Sequence, residues 1–133
     1  MTKEELIALA KEARELSYSP YSHFAVGAAI LCKDGSVFKG ANIENSAYSL
    51  CMCAERNAIY NAYMNGKKRE DIVALALCAA TDEPCSPCGA CRQVISELLP
   101  EDAPIYMTNV KGDVEETTIA KLLPYAFSPK DLM

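Results

Sequence analysis

A chain of 133 residues, half of them apolar, is long enough to bury a core without disulfide staples and is expected to form one domain over 1–133. Its net charge of -5 and isoelectric point near 4.9 exclude the basic footprint of a nucleic-acid binder. The longest apolar run, Ile72 to Ala80, is too short to span a bilayer, and Glu4 and Glu5 stand where an export signal would carry basic residues, so a cytoplasmic protein with no membrane partner is expected.

The first predicted element is a helix. Thr2 and Glu5 form a capping-box pattern, and Leu6, Leu9, Ala10, Ala13 and Leu16 recur at helical spacing, which predicts a face laid on a sheet. A turn-rich stretch from Ser17 to Ser22 follows. The apolar runs Phe24 to Cys32 and Val37 to Ile43 then flank Lys33-Asp34-Gly35-Ser36, whose Asp-Gly pair predicts a hairpin. From Cys53 to Met64 the periodicity is helical, with Asn65-Gly66 as a stop. Ile72 to Ala80 reads as a buried strand. Pro84 and Pro87 interrupt the chain, and Cys88 to Leu99 reads as another helix, with Val94, Ile95, Leu98 and Leu99 facing inward. Ile105 to Thr108 and the region around Glu115 to Thr118 read as strands about the turn Lys111-Gly112-Asp113, with a short helix after them. A hairpin followed by strands separated by helices implies an α/β fold, three layers α/β/α around a mixed sheet of about five strands.

Seven cysteines is an odd count with no export pattern, which favours reduced thiols and a metal or catalytic role over a disulfide framework. Two clusters open predicted helices: Cys53-Ala54-Glu55, and Pro87-Cys88-Gly89-Ala90-Cys91. A helix N-terminus lowers a thiol's pKa and offsets the charge of thiolates gathered there. Cys53, Cys88 and Cys91 would give zinc three ligands and leave its fourth tetrahedral position to water. Glu55, two residues beyond Cys53, is then suited to carry protons to and from that water. Such a cysteine set with a carboxylate that does not ligate is the known signature of zinc nucleobase deaminases. Spacing alone leaves alternatives open. Cys85-x-x-Cys88 matches Cys88-x-x-Cys91, and Cys51 or Cys85 could complete a closed, structural zinc site. Cys32 and Cys78 lie in apolar strands as small hydrophobes, and His23, the single histidine, reads as a loop residue.

These clusters, with Asn42-Ile43-Glu44-Asn45, Pro20-Tyr21-Ser22-His23-Phe24, Arg92-Gln93 and the tail Leu122-Leu123-Pro124-Tyr125-Ala126-Phe127-Ser128-Pro129, closely resemble the small, homotetrameric cytidine deaminases along nearly the whole chain. The resemblance selects Cys53, Cys88 and Cys91 as ligands of one zinc ion per subunit and Glu55 as the catalytic proton carrier. It implies that Asn42 and Glu44 bind the ribose, that Phe24 packs on the pyrimidine, that Ala54 lies in the substrate site, and that Arg56 touches the thiolates. Tyr48 and Phe127 are implied to complete sites across subunit boundaries. The activity implied is hydrolysis of cytidine and deoxycytidine to uridine and deoxyuridine with release of ammonia, a pyrimidine-salvage reaction, in a cytidine deaminase-like fold. A deaminase of another cytosine-bearing amine such as blasticidin S, and a non-catalytic zinc module, are the alternatives; Asn42-x-Glu44-Asn45 argues against the first because such an enzyme need not keep a ribose-binding pair. Deaminases that begin with His-x-Glu do not share the Cys-Ala-Glu found here.

Overall fold

The computed structural model describes residues 1–132. Chain order is α1 (Lys3–Ala13), β1 (Val26–Cys32), β2 (Val37–Ala41), α2 (Ala54–Met64), β3 (Ile72–Ala79), α3 (Gly89–Leu98), β4 (Ile105–Asn109), β5 (Val114–Thr117) and α4 (Ile119–Leu122). The sheet runs β2-β1-β3-β4-β5. β3 and β4 are parallel, joined through α3, and every other neighbouring pair is antiparallel. This is the expected α/β fold with a mixed, five-stranded sheet. No helix among the described residues is long and apolar enough to cross a membrane.

Alternation along the strands sorts the core into two layers. One face of the sheet, with Ala28, Ile30, Leu75, Leu77 and Ala79, packs against Ala54, Ala58 and Ile59 of α2 and Ile95 of α3. The other, with Ala29, Ala74, Ala76 and Cys78, receives Leu6 and Ala10 of α1. Covered on both faces, β3 reads as a near-continuous apolar run, which is why it stood out in the sequence. Helix α2 comes so close to β2 that a Cβ on Gly40 would collide with the backbone of Ala54 and Ala58. Its far end is tied to that of α3 by the Tyr63 hydroxyl, which donates to the Leu98 carbonyl at 2.7 Å.

Three expectations are corrected at the element ends. α1 stops at Ala13, and a 3-10 turn over Arg14–Leu16 leaves Leu16 62% exposed instead of on the buried face. β1 begins at Val26, not Phe24, because His23 takes a left-handed φ of 57° and the Asn42 side chain replaces a strand partner. Its Oδ1 accepts from the Val26 N–H at 2.9 Å and its Nδ2 donates to the Phe24 carbonyl at 2.7 Å. β2 correspondingly ends at Ala41, and Ile43 instead forms isolated bridges with Tyr18 and Met52.

Candidate active site

The expected helices each begin one residue late, which puts Cys53 and Cys88 at the N-caps of α2 and α3. Neither cap makes a side-chain hydrogen bond to its helix, so the first-turn N–H groups keep their partial positive charge for the sulfur atoms beside them. Cys91 lies one turn into α3 and is fully buried. The Sγ atoms of Cys53, Cys88 and Cys91 lie within 4.8 Å of one another. Cys53 and Cys88 are 3.7 Å apart. Zinc–sulfur bonds of about 2.3 Å at a tetrahedral angle require sulfurs about 3.8 Å apart, so the spacing fits this metal.

The electrostatics favour thiolate at this point. Cys53 is pulled down to about 5, first by a hydrogen bond from Cys91 and then by Arg56 and Cys88 against the cost of burial. Cys91 is pushed up because its proton is held between two sulfurs in a buried place. Arg56 Nη2 donates to Cys53 Sγ at 3.4 Å, while its buried Nε has no partner among the described residues.

The other cysteines stand apart from the cluster. Cys85 is held away by its backbone, whose N–H donates to the Thr108 carbonyl at 3.1 Å, and its thiol is pushed up to about 11 by burial. Cys51 exchanges contacts with the backbone of Asn45. Cys32 and Cys78 are buried in the strands, as expected. A fourth thiolate is therefore not supplied among the described residues, which removes the ambiguity left by the two Cys-x-x-Cys spacings.

Glu55 follows Ala54 in the first turn of α2 and is 4% exposed. Burial is the main reason its carboxyl is pushed up to about 7, with the charge on Cys53 adding to the effect. A carboxyl so placed exchanges its proton near neutral pH. Ala54 itself is fully buried.

The remaining expected residues are more exposed and lie outside the long helices and the sheet. Glu44 accepts from the Ser22 hydroxyl, the main reason its carboxyl lies below the usual range, and from the N–H groups of Ser22 at 3.2 Å and Tyr21 at 3.0 Å. Asn42 accepts from the Ser17 hydroxyl at 2.6 Å in addition to its contacts with Val26 and Phe24. Phe24 is 40% exposed, Tyr48 74% and Phe127 56%. Tyr48 meets Tyr21 edge to face, with ring centres 6.4 Å apart. Ser17 and Ser22 were not singled out in the sequence. Ser22 lay within a matching motif, but nothing in the spacing showed that it would reach Glu44.

Residues 1–107 match the family model described as the cytidine and deoxycytidylate deaminase zinc-binding region. The chain belongs to the cytidine deaminase family. It is 57% identical over 132 residues to the cytidine deaminase of Sporosarcina psychrophila, spanning 99% of this chain and 96% of that protein. With the cytidine deaminase of Halalkalibacterium halodurans the identity is 53% over 132 residues, or 99% and 98% of the two chains. The crystal structure of cytidine deaminase from Burkholderia pseudomallei superposes with a TM-score of 0.94 at 48% identity, covering 96% of this chain and all of that one. Membership supports zinc-dependent deamination of cytidine-like substrates, and the three-cysteine cluster is a place able to coordinate a metal.

Proposed function

We propose that this chain, a single catalytic domain, hydrolyses cytidine and deoxycytidine to uridine and deoxyuridine with release of ammonia. The observation that carries this reading is Glu55: a carboxyl poised near neutrality, buried at the same helix end that brings Cys53 to the thiol cluster. Cys53, Cys88 and Cys91 hold one zinc ion per subunit, and bound zinc lowers the pKa of water toward neutrality. Glu55 takes the proton of the attacking water, passes it to the ring nitrogen, and hands a proton to the departing ammonia. Its pKa near 7 suits both directions of transfer. Arg56 drains charge from the thiolates, which would otherwise oppose activation of the water.

The more exposed residues form a rim that binds the nucleoside. Glu44 is kept ionised and accepts from ribose hydroxyls, while repelling the phosphates of a nucleotide or polynucleotide. Asn42 has a second amide N–H beyond the one given to Phe24, and offers it to the ribose. Phe24 packs on the pyrimidine, and Ala54 contributes backbone to the floor of the site. Tyr48 and Phe127, both largely exposed on one chain, complete sites on neighbouring subunits of a homotetramer, and the exposed Leu50 and Tyr125 add to an apolar surface suited to association. Seven cysteines free of disulfides among the described residues suit the reducing cytoplasm, where the enzyme serves pyrimidine salvage.

The test is incubation of zinc-loaded protein with cytidine, followed by the absorbance change and identification of the product. Uridine and ammonia in equal amounts are expected, with far poorer turnover of a cytidine-containing oligonucleotide. Fully loaded protein that leaves cytidine and deoxycytidine unchanged would overturn the reading.

A further inference from the structure

Arg92 follows the buried Cys91 directly in α3, yet its side chain folds back toward the start of the helix. Its Nε donates to the Pro87 carbonyl at 2.8 Å and its Nη1 to the Leu122 carbonyl at 2.9 Å. Both carbonyls need a donor. Pro87 is fully buried and lies ahead of the N-cap, so its oxygen has no place in the helical ladder. Leu122 is the last residue of α4, where a helix leaves its carbonyls unpaired. A single guanidinium thus joins the backbone immediately before Cys88 to the start of the C-terminal segment. Gln93, next along the helix, adds a second clip by donating to the Phe127 carbonyl at 2.9 Å.

We propose that Arg92 is a positioning residue for the metal site: it locks the backbone that carries Cys88, and retention of zinc by the three thiols depends on it. Cys91 is held by α3 and by burial, but Cys88 is exposed and sits at the junction of a loop with the helix. Its sulfur position therefore follows the Pro87 peptide. On the other side of that loop, the Cys85 N–H donates to the Thr108 carbonyl and Asn109 Nδ2 donates to the Asp82 carbonyl, which tie the backbone to β4 ahead of Pro87. The planar fork of an arginine reaches two carbonyls in different directions, whereas a lysine brings a point charge that does not preorganise both bonds. The inference rests on the reading of the cluster as a zinc site.

The experiment measures zinc affinity of wild type, Arg92→Lys, Arg92→Ala and Gln93→Ala by competition with a chromophoric chelator, alongside thermal unfolding of the metal-free forms. Both Arg92 variants are expected to bind zinc about tenfold or more weakly, and Gln93→Ala to match wild type. A purely structural arginine would lower the unfolding temperature of the metal-free protein and leave the zinc affinity of its folded fraction unchanged. That result in Arg92→Lys would overturn the proposal even where Arg92→Ala fails to fold. An equal loss in Gln93→Ala would overturn it too, by assigning the effect to the C-terminal segment as a whole. Wild-type protein that takes up no zinc would overturn the metal reading along with it, whereas loaded wild type matched by its Arg92 variants would overturn this proposal alone.

Discussion

The proposed site has two halves built on different principles. The cysteine half rests on two helix N-termini packed against the sheet, with Glu55 and Cys91 buried and α2 pressed onto β2 at Gly40. The rim half is carried by loops, with Phe24, Tyr48 and Phe127 exposed and the polar residues Asn42 and Glu44 held by backbone and serine contacts. The contrast teaches where each kind of specificity comes from. Groups proposed to meet a metal ion within tenths of an ångström are set by core packing, while the groups proposed to meet a substrate stand on loops.

The largest effect that sharpens this comparison concerns the cost of the buried half. Glu55 has its carboxyl pushed from 4.5 to about 7 by burial, so the folded protein holds a proton that the unfolded chain releases between those values. Its contribution is fully present below pH 4.5 and is lost as pH rises through about 7. In metal-free protein, Glu55→Gln should therefore be as stable as wild type in acid and more stable above pH 7, by on the order of 3 kcal/mol. Denaturant titrations across the pH range check this, and a constant difference at all pH values would contradict it.

A smaller effect separates packing that serves the metal from packing that does not. A Cβ at Gly40 collides with the backbone of Ala54 and Ala58, and one at Gly27 with Ala10 and Arg14 on the opposite face. Each alanine substitution should cost about 1–3 kcal/mol in thermal unfolding. Only Gly40→Ala should also weaken zinc binding, since it displaces the helix that begins at Cys53. Equal zinc loss in both variants would break the link between the packing of α2 and the cysteine half.

The smallest effect belongs to the rim. Ser22 donates its hydroxyl to Glu44 and accepts from the Phe24 N–H at 3.0 Å, so one side chain joins two rim residues. Ser22→Ala removes a hydrogen bond to a charged group in an exposed place, so a modest effect is expected. A rise in KM of roughly fivefold with kcat unchanged is expected. A fall in kcat with KM unchanged would place Ser22 in the chemical step instead.

The two halves were also unequally legible in the sequence. Helical periodicity, the Asp34-Gly35 turn and the apolar run of β3 sufficed for the α/β fold, because each reflects local pattern and burial on one or both faces. The cysteines at predicted helix starts were visible for the same reason. Spacing alone did not show which of them converge, since Cys85 and Cys91 have the same spacing from Cys88; the family resemblance selected Cys91, and the structure gathers Cys53, Cys88 and Cys91 while the Cys85 backbone is bonded to Thr108. The rim was hidden more deeply. The Asn42 side chain takes the place of a strand partner for Phe24 and Val26, a contact across 16 and 18 residues that no periodicity records. Leu16 kept helical spacing after the α-helix had ended, because a 3-10 turn rotates it out to solvent. Arg92 and Gln93 sat in plain view beside Cys91, but their partners lie 30 and 34 residues away along the chain at Leu122 and Phe127.

The most direct test of the account is the steady-state turnover of cytidine by Glu55→Gln beside wild type, with the zinc content of each preparation measured. Full zinc occupancy is expected in both, with a loss of roughly 10²–10⁴-fold in kcat for the variant. A zinc-replete Glu55→Gln protein that deaminates cytidine within a few-fold of the wild-type rate would contradict it.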